Sequence, residues 1–332
     1  MANLVLQSWR QESLNSCSTK LNQAVQGLAE IAGLRFSTHY PLSQVVSFKV
    51  GGPADLVAWP HSQESILACL RLARDLDLPV TVLGRGSNVL ISDQGIRGLV
   101  LILGSAYSQL YLEDQVLRCQ AGCPLYQLAA FCARHSLSGV EGLVGIPGSL
   151  GGAIMMNAGA YDCTIGDFVT QVTLIDDQLQ VRNLAGRELD FSYRHSYFSD
   201  HSGLISQVSL ELVPGDKSEI YARMADFQTR RRKSQPLEMA SAGSSFKRPQ
   251  GAYASRLIEG AGLKGWRQGK CGVSAKHAGF IVNYGGATAQ DLRQVFAHVQ
   301  AEVKQQSGFS LEPEVRFLGD WSPCSRELAT EL

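Results

Sequence analysis

GIPGSLGGAIMMNAGAY, residues 145–161, is a glycine-rich stretch with no charged side chain. Glycines let main-chain N–H groups approach a ligand with no Cβ in the way, and successive amides form a concavity that attracts anions. A second loop of this kind, Gly84-Arg85-Gly86-Ser87-Asn88, follows a strand expected over 79–83. Either loop alone reads equally as a tight turn, but two of them in one domain suit a dinucleotide. Neither has the spacing of a standard nucleotide fold. Gly84-x-Gly86 runs into Asn88-Val89 rather than a third glycine opening a helix, and no Gly-Lys-Ser/Thr occurs. The small residues of Met155 to Tyr161 fit a flat ring lying on the backbone as well as they fit close-packed core, and spacing does not separate the two.

Outward from these loops the pattern is mixed helix and strand. SFKVGGPADLVAW (47–59) reads as strand, turn and strand, broken at Gly51-Gly52-Pro53. Ser62 offers an N-cap to a helix with apolar residues at 66, 67, 70 and 73, which Pro79 ends before a buried strand. Strands are expected at 89–91, 99–103, 116–121, 169–175 and 204–213, a helix from 125 to about 136, and a loop over 142–159. A helix over 217–233 closes on Arg230-Arg231-Arg232-Lys233, cations suited to a helix C-terminus, and Pro236 stops it. With no interleaved aromatics, that run reads as a solvated helix end or linker rather than a nucleic-acid patch. Beyond it come a short helix near 253–259, a strand at 279–283 and a helix over 289–306, with Thr288 and Asp291 as its capping pair and Gly308 at its C-cap. LEPEVRFLG supplies a last strand, and the tail after Asp320 is expected to be disordered.

Composition narrows the function. The 332 residues are 45% hydrophobic, enough for a substantial core, and 30 basic residues balance 30 acidic ones. No overall field favours nucleic acid or an anionic membrane, so a small-molecule ligand is expected. The start lacks a signal-peptide pattern and no run of about eighteen apolar residues occurs, so neither export nor spanning is indicated. The 8 cysteines show no C-x-x-C pair, which argues against zinc or a redox dithiol and for reduced thiols in the cytoplasm.

Three further clusters carry reactive groups: Tyr193-Arg194 in FSYRHSYF, Ser244-Ser245 in AGSSFKRP, and Glu312-Pro313-Glu314 in LEPEVRF. Singly each is weak, since an arginine beside aromatics is more often a surface residue and a strand glutamate a solvated edge.

In order, SFKVGGPAD, GRGSN, GIPGSLGGAIMMNAGAY, YRHS, AGSSFKRP, SAKHAGFIVN and LEPEVRFLG make the chain resemble the UDP-N-acetylenolpyruvoylglucosamine reductase family over about Ser37 to Gly319. Phe246-Lys247-Arg248-Pro249 resembles its shorter, type II branch. The resemblance implies an α+β protein: an FAD-binding domain of the vanillyl-alcohol-oxidase (PCMH) type over 37–216, then a smaller α+β substrate-binding domain over 217–319. Residues 1–36 would form a leader and first helix and 320–332 a tail.

It further implies non-covalent FAD, NADPH as co-substrate and UDP-N-acetylglucosamine enolpyruvate as substrate. Metal, nucleic acid and membrane have no part, and the enzyme is expected to be a cytoplasmic monomer or weak oligomer. The family's catalytic positions fall on Arg194, Ser244 and Glu314, with Glu312 a nearby alternative. FAD contacts would come from Gly51, Gly52, Gly84, Arg85, Gly86, Ser87, Asn88, Gly145, Ile146, Pro147, Gly148, Ser149, Gly151, Gly152, Ala153, Asn157, Ala158 and Gly159. Substrate contacts would come from Tyr193, Lys247, Arg248, Lys276 and His277. One departure is Asp162, where the family commonly has glycine.

Three rivals fare worse. A flavin oxidase would tether its flavin through a histidine or cysteine near the phosphate loops, a plain binding module has no use for the reactive trio, and a serine hydrolase needs a G-x-S-x-G elbow that is absent.

Overall fold

The computed structural model describes residues 19–114 and 116–322. The chain folds into two compact units whose segments interleave. Among the described residues, the first takes 19–40, Asp55–Gly86 and Gly98–Gln235; the second takes Pro41–Ala54, Ser87–Arg97 and 236–322.

Two larger sheets, two two-stranded ones and five helices build the first unit. Helix α1 spans 19–30. Helix α2, Gln63–Asp75, starts where Ser62 Oγ accepts the Ser65 N–H at 3.1 Å while Ser65 Oγ accepts the Ser62 N–H at 3.0 Å, a reciprocal cap. Its buried stripe is Ser65, Ile66, Cys69 and Ala73. A four-stranded sheet has the order Arg35–Pro41, Pro53–Trp59, Ile96–Ile102 and Val80–Leu83, the last two parallel. A five-stranded antiparallel sheet runs Val181–Ala185, Val169–Ile175, Leu204–Glu211, Val116–Gln120 and Leu110–Glu113. Leu117, Cys119, Val172, Val208 and Leu210 point from this sheet into one core with α1, α2, helix α3 (Leu125–Arg134) and helix α4 (Leu150–Met155). Helix α5, Lys217–Ser234, packs Ile220 and Met224 on Ala129, Ala133 and Val144.

In the second unit, Arg267–Gln268, Cys271–Val273 and Ile281–Asn283 form an antiparallel sheet. Helix α6 is Ala254–Gly260 and helix α7 is Ala289–Ser307. On α7, Leu292, Val295, Phe296, Val299 and Val303 recur at helical spacing and are all buried. Thr288 and Asp291 form its capping box and Gly308, at φ +76°, its left-handed C-cap. Arg316–Leu318 pairs in parallel with Val89–Ile91.

Four local expectations change. Ser47–Val50 is not a strand, because Phe48 and Val50 turn into the second core, and the strand begins at Pro53 itself. The stretch 142–159 is not all loop, since α4 interrupts it. A boundary at 216/217 gives way to one at Gln235/Pro236, because α5 buries its apolar face in the first unit. Nor is the 37–216 stretch continuous in space: Phe48, Val50 and Leu90 are buried with the C-terminal residues. The expected tail disorder concerns residues that, from 323 on, lie outside the described ones, as do residues 1–18 of the leader. Among the described residues no helix is long and apolar enough to cross a membrane.

Candidate active site

In the first unit the two glycine-rich loops meet. Arg85 Nε donates to Pro147 O at 3.3 Å, and a Cβ on Gly84 would fall 2.0 Å from Ser149 Oγ, so a side chain at 84 would displace that hydroxyl from the contact between the loops. The 145–149 loop is moored to the end of the five-stranded sheet. Leu125 N–H donates to Gly148 O at 3.1 Å, Leu150 N–H to Cys123 O at 2.8 Å, and Gly151 N–H to Ala121 O at 2.8 Å. Among the described residues, no main-chain acceptor takes the N–H groups of Gly84, Arg85, Gly86, Gly148 or Ser149. These donors sit on two loops held together, an arrangement that suits an anion.

Other glycines in the expected cofactor set have packing reasons of their own. A Cβ on Gly52 would meet Asp93 O at 2.1 Å, and one on Gly159 would meet Cys163 O at 2.4 Å.

Asn157 is buried, and its carboxamide is used within the protein: Nδ2 donates to Ser192 O at 2.9 Å and Oδ1 accepts the Gly166 N–H at 3.0 Å. It braces the loop bearing Tyr193 and Arg194. Ser192 and His195 exchange main-chain hydrogen bonds of 3.2 and 3.3 Å across the two residues, Arg194 adopts φ +55°, and Ser196 Oγ donates to Met155 O at 3.0 Å. The Arg194 guanidinium lies 5.1 Å from the centre of the exposed Tyr193 ring. Asp162 sits at φ +57°, the left-handed region where glycine is at ease and aspartate is among the better-tolerated alternatives.

In the second unit the Ser244 segment is threaded between two others. Ser245 N–H donates to Gly279 O at 2.8 Å, Ser245 O accepts the Glu314 N–H at 2.9 Å, and Lys247 N–H donates to Glu312 O at 2.9 Å. Asn88 Nδ2 adds a bond to Glu314 O at 3.1 Å. Ser244 and Glu314, seventy residues apart in sequence, are thus brought onto adjacent backbones. Ser244 is exposed while Ser245 is only 1% accessible, so the first faces solvent and the second is built in.

Four of the five expected substrate residues, Lys247, Arg248, Lys276 and His277, lie with this segment in the second unit, and Tyr193 lies in the first. Lys247 Nζ pairs with Glu312 at 2.5 Å, Arg248 stacks on Tyr253 at 4.6 Å, and Lys276 Nζ is 3.9 Å from Glu238. His277 Nδ1 accepts the Gly279 N–H at 3.0 Å, which leaves the neutral ring's proton on Nε2; burial lowers its pKa.

One residue of note escaped the sequence reading. Arg231 is not a solvated helix end: it is 7% accessible and its Nη1 donates to Gly145 O at 3.0 Å. Its position in the helical period of α5, in register with buried Ile220 and Met224, was the signal available, but three neighbouring cations masked it.

A family model described as FAD binding domain matches residues 54–184, and one described as UDP-N-acetylenolpyruvoylglucosamine reductase, C-terminal domain, matches 235–318. The chain is 43% identical over 282 residues to a UDP-N-acetylenolpyruvoylglucosamine reductase of Pediococcus pentosaceus, covering 85% of this chain and 94% of that one. It is 44% identical over 281 residues to that of Heliobacterium modesticaldum, covering 84% and 90%. The crystal structure of the Thermus caldophilus UDP-N-acetylenolpyruvylglucosamine reductase superposes with a TM-score of 0.73 at 33% identity, covering 86% of this chain and 99% of that one.

FAD fits the first unit's donor set, because the N–H groups of the joined loops at 84–86 and 148–149 can take a pyrophosphate where no protein carbonyl competes. Donor set, fold and sequence identity over most of the chain agree, and the protein belongs to the UDP-N-acetylenolpyruvoylglucosamine reductase family.

Proposed function

We propose that the chain reduces UDP-N-acetylglucosamine enolpyruvate to UDP-N-acetylmuramate with NADPH, in peptidoglycan-precursor synthesis, as a cytoplasmic monomer or weak oligomer. FAD, held by the N–H groups of the 84–86 and 148–149 loops, would supply the hydride chemistry between NADPH and the terminal carbon of the enolpyruvyl group. The residues of the chain handle the charge and the proton that follow. The carbon beside the carboxylate gains carbanion character. Arg194, permanently protonated, holds the resulting enolate in its planar fork of donors, and such preorganised donors contribute roughly 10²–10³ in rate.

Ser244 Oγ donates its proton to that carbon and regains one from solvent, so one hydride and one proton saturate the double bond. A general acid of this kind contributes roughly 10²–10⁴. In its protonated form, Glu314 would donate a hydrogen bond to the enolate oxygen. Lys247, Arg248 and Lys276 supply cations for the diphosphate and carboxylate, His277 contributes a neutral Nε2–H, and Tyr193 an exposed ring.

The observation that carries this reading is the 2.9 Å bond from Glu314 N–H to Ser245 O, which sets an acid group one residue from an exposed serine hydroxyl. Glu312, the alternative, is occupied by Lys247.

The test is an anaerobic spectrum of the holoenzyme. NADPH should bleach the flavin and the enolpyruvyl sugar should restore it. Ser244→Ala should leave bleaching intact and slow the return by roughly 10²–10⁴. Equal slowing of both half-reactions would count against the proton-donor role, and a protein that takes up no FAD would sink the whole reading.

A further inference from the structure

His195 follows Arg194 directly, and its ring ties the arginine's turn to residues on both sides of it. Nδ1 lies 3.1 Å from Asp190 O and Nε2 lies 2.9 Å from Asp200 Oδ2. One partner is a main-chain carbonyl and the other a carboxylate, and each can only accept a hydrogen bond. A neutral imidazole carries a single N–H, so it would satisfy one of them and turn a lone pair toward the other. Both contacts are met only when both ring nitrogens carry protons. The arrangement is therefore that of an imidazolium.

The surroundings favour the same form. Among the described residues, the carboxylates that face the ring are those of Asp200 and of Asp190, the latter 3.9 Å from Nδ1. Arg194, next to it in the chain, holds its guanidinium 5.1 Å from the centre of the Tyr193 ring. His201 stacks on Tyr197 at 4.0 Å, with its Nδ1 3.0 Å from Tyr197 O. The groups that moor the turn from α4 and the residues just after it are a carbonyl, Met155 O, and the Asn157 carboxamide. The hydrogen bond to Asp200, then that to Asp190 O, raises the His195 pKa above its ordinary 6.5.

The turn is one that has to be held. Arg194 adopts φ +55° and Asp190 φ +44°. Arginine has no short polar side chain with which to ease the left-handed conformation. Asn157 and Ser196 brace the turn with groups that do not ionise near neutrality, whereas the His195 brace titrates.

We propose that His195 is a positioning residue: as an imidazolium it holds the Arg194 turn in its productive conformation, and it releases one of its two contacts as pH rises. The inference rests on the role given to Arg194 above. A raised folded-state pKa means that both contacts are complete below 6.5 and that one is lost as pH climbs through the higher folded value. Flavin reoxidation by the enolpyruvyl sugar should therefore carry an alkaline limb that flavin reduction by NADPH lacks.

The test uses holoenzyme. Stopped-flow rates of both half-reactions are measured from about pH 6 to 9, and the His195 ring protons are followed by NMR in oxidised enzyme, assigned by their loss in His195→Gln. That variant should slow reoxidation roughly 3- to 30-fold at the acid end, short of the roughly 10²–10³ for loss of the arginine's own donors, and leave reduction within about twofold. Asp200→Asn is the decisive variant, nearly isosteric and made on a side chain that is 68% exposed. Its amide can donate to the bare nitrogen of a neutral ring, so both contacts survive deprotonation and the alkaline limb should vanish.

A wild-type His195 signal that titrates at or below 6.5 would overturn the proposal, and so would an Asp200→Asn protein that keeps the wild-type limb. Arg194→Ala separates this inference from the reading beneath it. If that variant is reoxidised as fast as wild type, the role of the arginine falls and the inference with it. If it is slow while the limb persists in Asp200→Asn, the inference alone falls.

Discussion

Ser244 and Ser245 are neighbours with opposite consequences when changed to alanine. Ser245 is 1% accessible, and its Oγ accepts the Ile281 N–H at 2.8 Å at the start of the strand Ile281–Asn283. Alanine fills nearly the same volume and keeps the main-chain bonds to Gly279 O and from Glu314 N–H. The loss therefore reduces to one buried N–H left without an acceptor, about 1–3 kcal/mol. Ser244 is exposed, and its substitution should fall within about 0.5 kcal/mol of wild type.

The assay is urea unfolding of both variants at one fixed, saturating FAD concentration, because bound ligand shifts apparent stability. Reoxidation of reduced flavin is followed in parallel. Ser245→Ala should lose stability yet retain reoxidation within about tenfold, since Ser244 remains. Ser244→Ala should do the reverse. A Ser245→Ala protein as stable as wild type would refute the claim that its hydroxyl satisfies a buried donor, and a destabilised Ser244→Ala protein would refute the separation of roles.

Two other outcomes follow from the first unit. Burial pushes the Glu141 carboxyl up, but the Arg223 guanidinium, the backbone N–H groups including that of Gly139, and the Ser138 hydroxyl outweigh it and hold its pKa below the usual 4.5. A lowered folded-state pKa contributes stability in full above the unfolded value and loses it as pH falls through the folded one. The stability gap between wild type and Arg223→Met should accordingly be widest near neutrality and shrink below about pH 4.5; a gap independent of pH would discount the pair. Asn157→Ala removes the partner of both Gly166 N–H and Ser192 O, so it should cost about 2–4 kcal/mol. It should also slow flavin reoxidation more than reduction by NADPH, through the Arg194 loop, and stopped-flow rates equal to wild type in both half-reactions would remove Asn157 from that positioning role.

Local order was legible in the chain wherever one signal dominates. Helix α2 announces itself by cap residue and period, α7 by its capping pair and Gly308, α5 by its closing cations and Pro236, and the strands of the five-stranded sheet by β-branched runs between turn residues. The motifs, matched in order, were enough to reach the family. What sequence could not supply depends on which faces are buried and which segments meet. SFKV looks like a strand, yet Phe48 and Val50 fill a core most of whose other members lie some two hundred residues further on. Asn157 sits in a motif that resembles a flavin contact, yet both ends of its carboxamide serve the chain.

Arg231 shows the same division most sharply. In sequence it is one of four consecutive cations; the rotation of α5 against Val144 and Ala133 alone turns that one beneath the glycine loop. The 2.9 Å bond that joins the Glu314 and Ser244 segments spans some seventy residues, and no local pattern encodes it. Residue type and spacing fixed the local elements and the available chemistry, because caps, propensities and glycine geometry act over a few residues. Long-range packing decided which serine is exposed, which arginine is buried and which segments share a unit, because burial is a property of the assembled core.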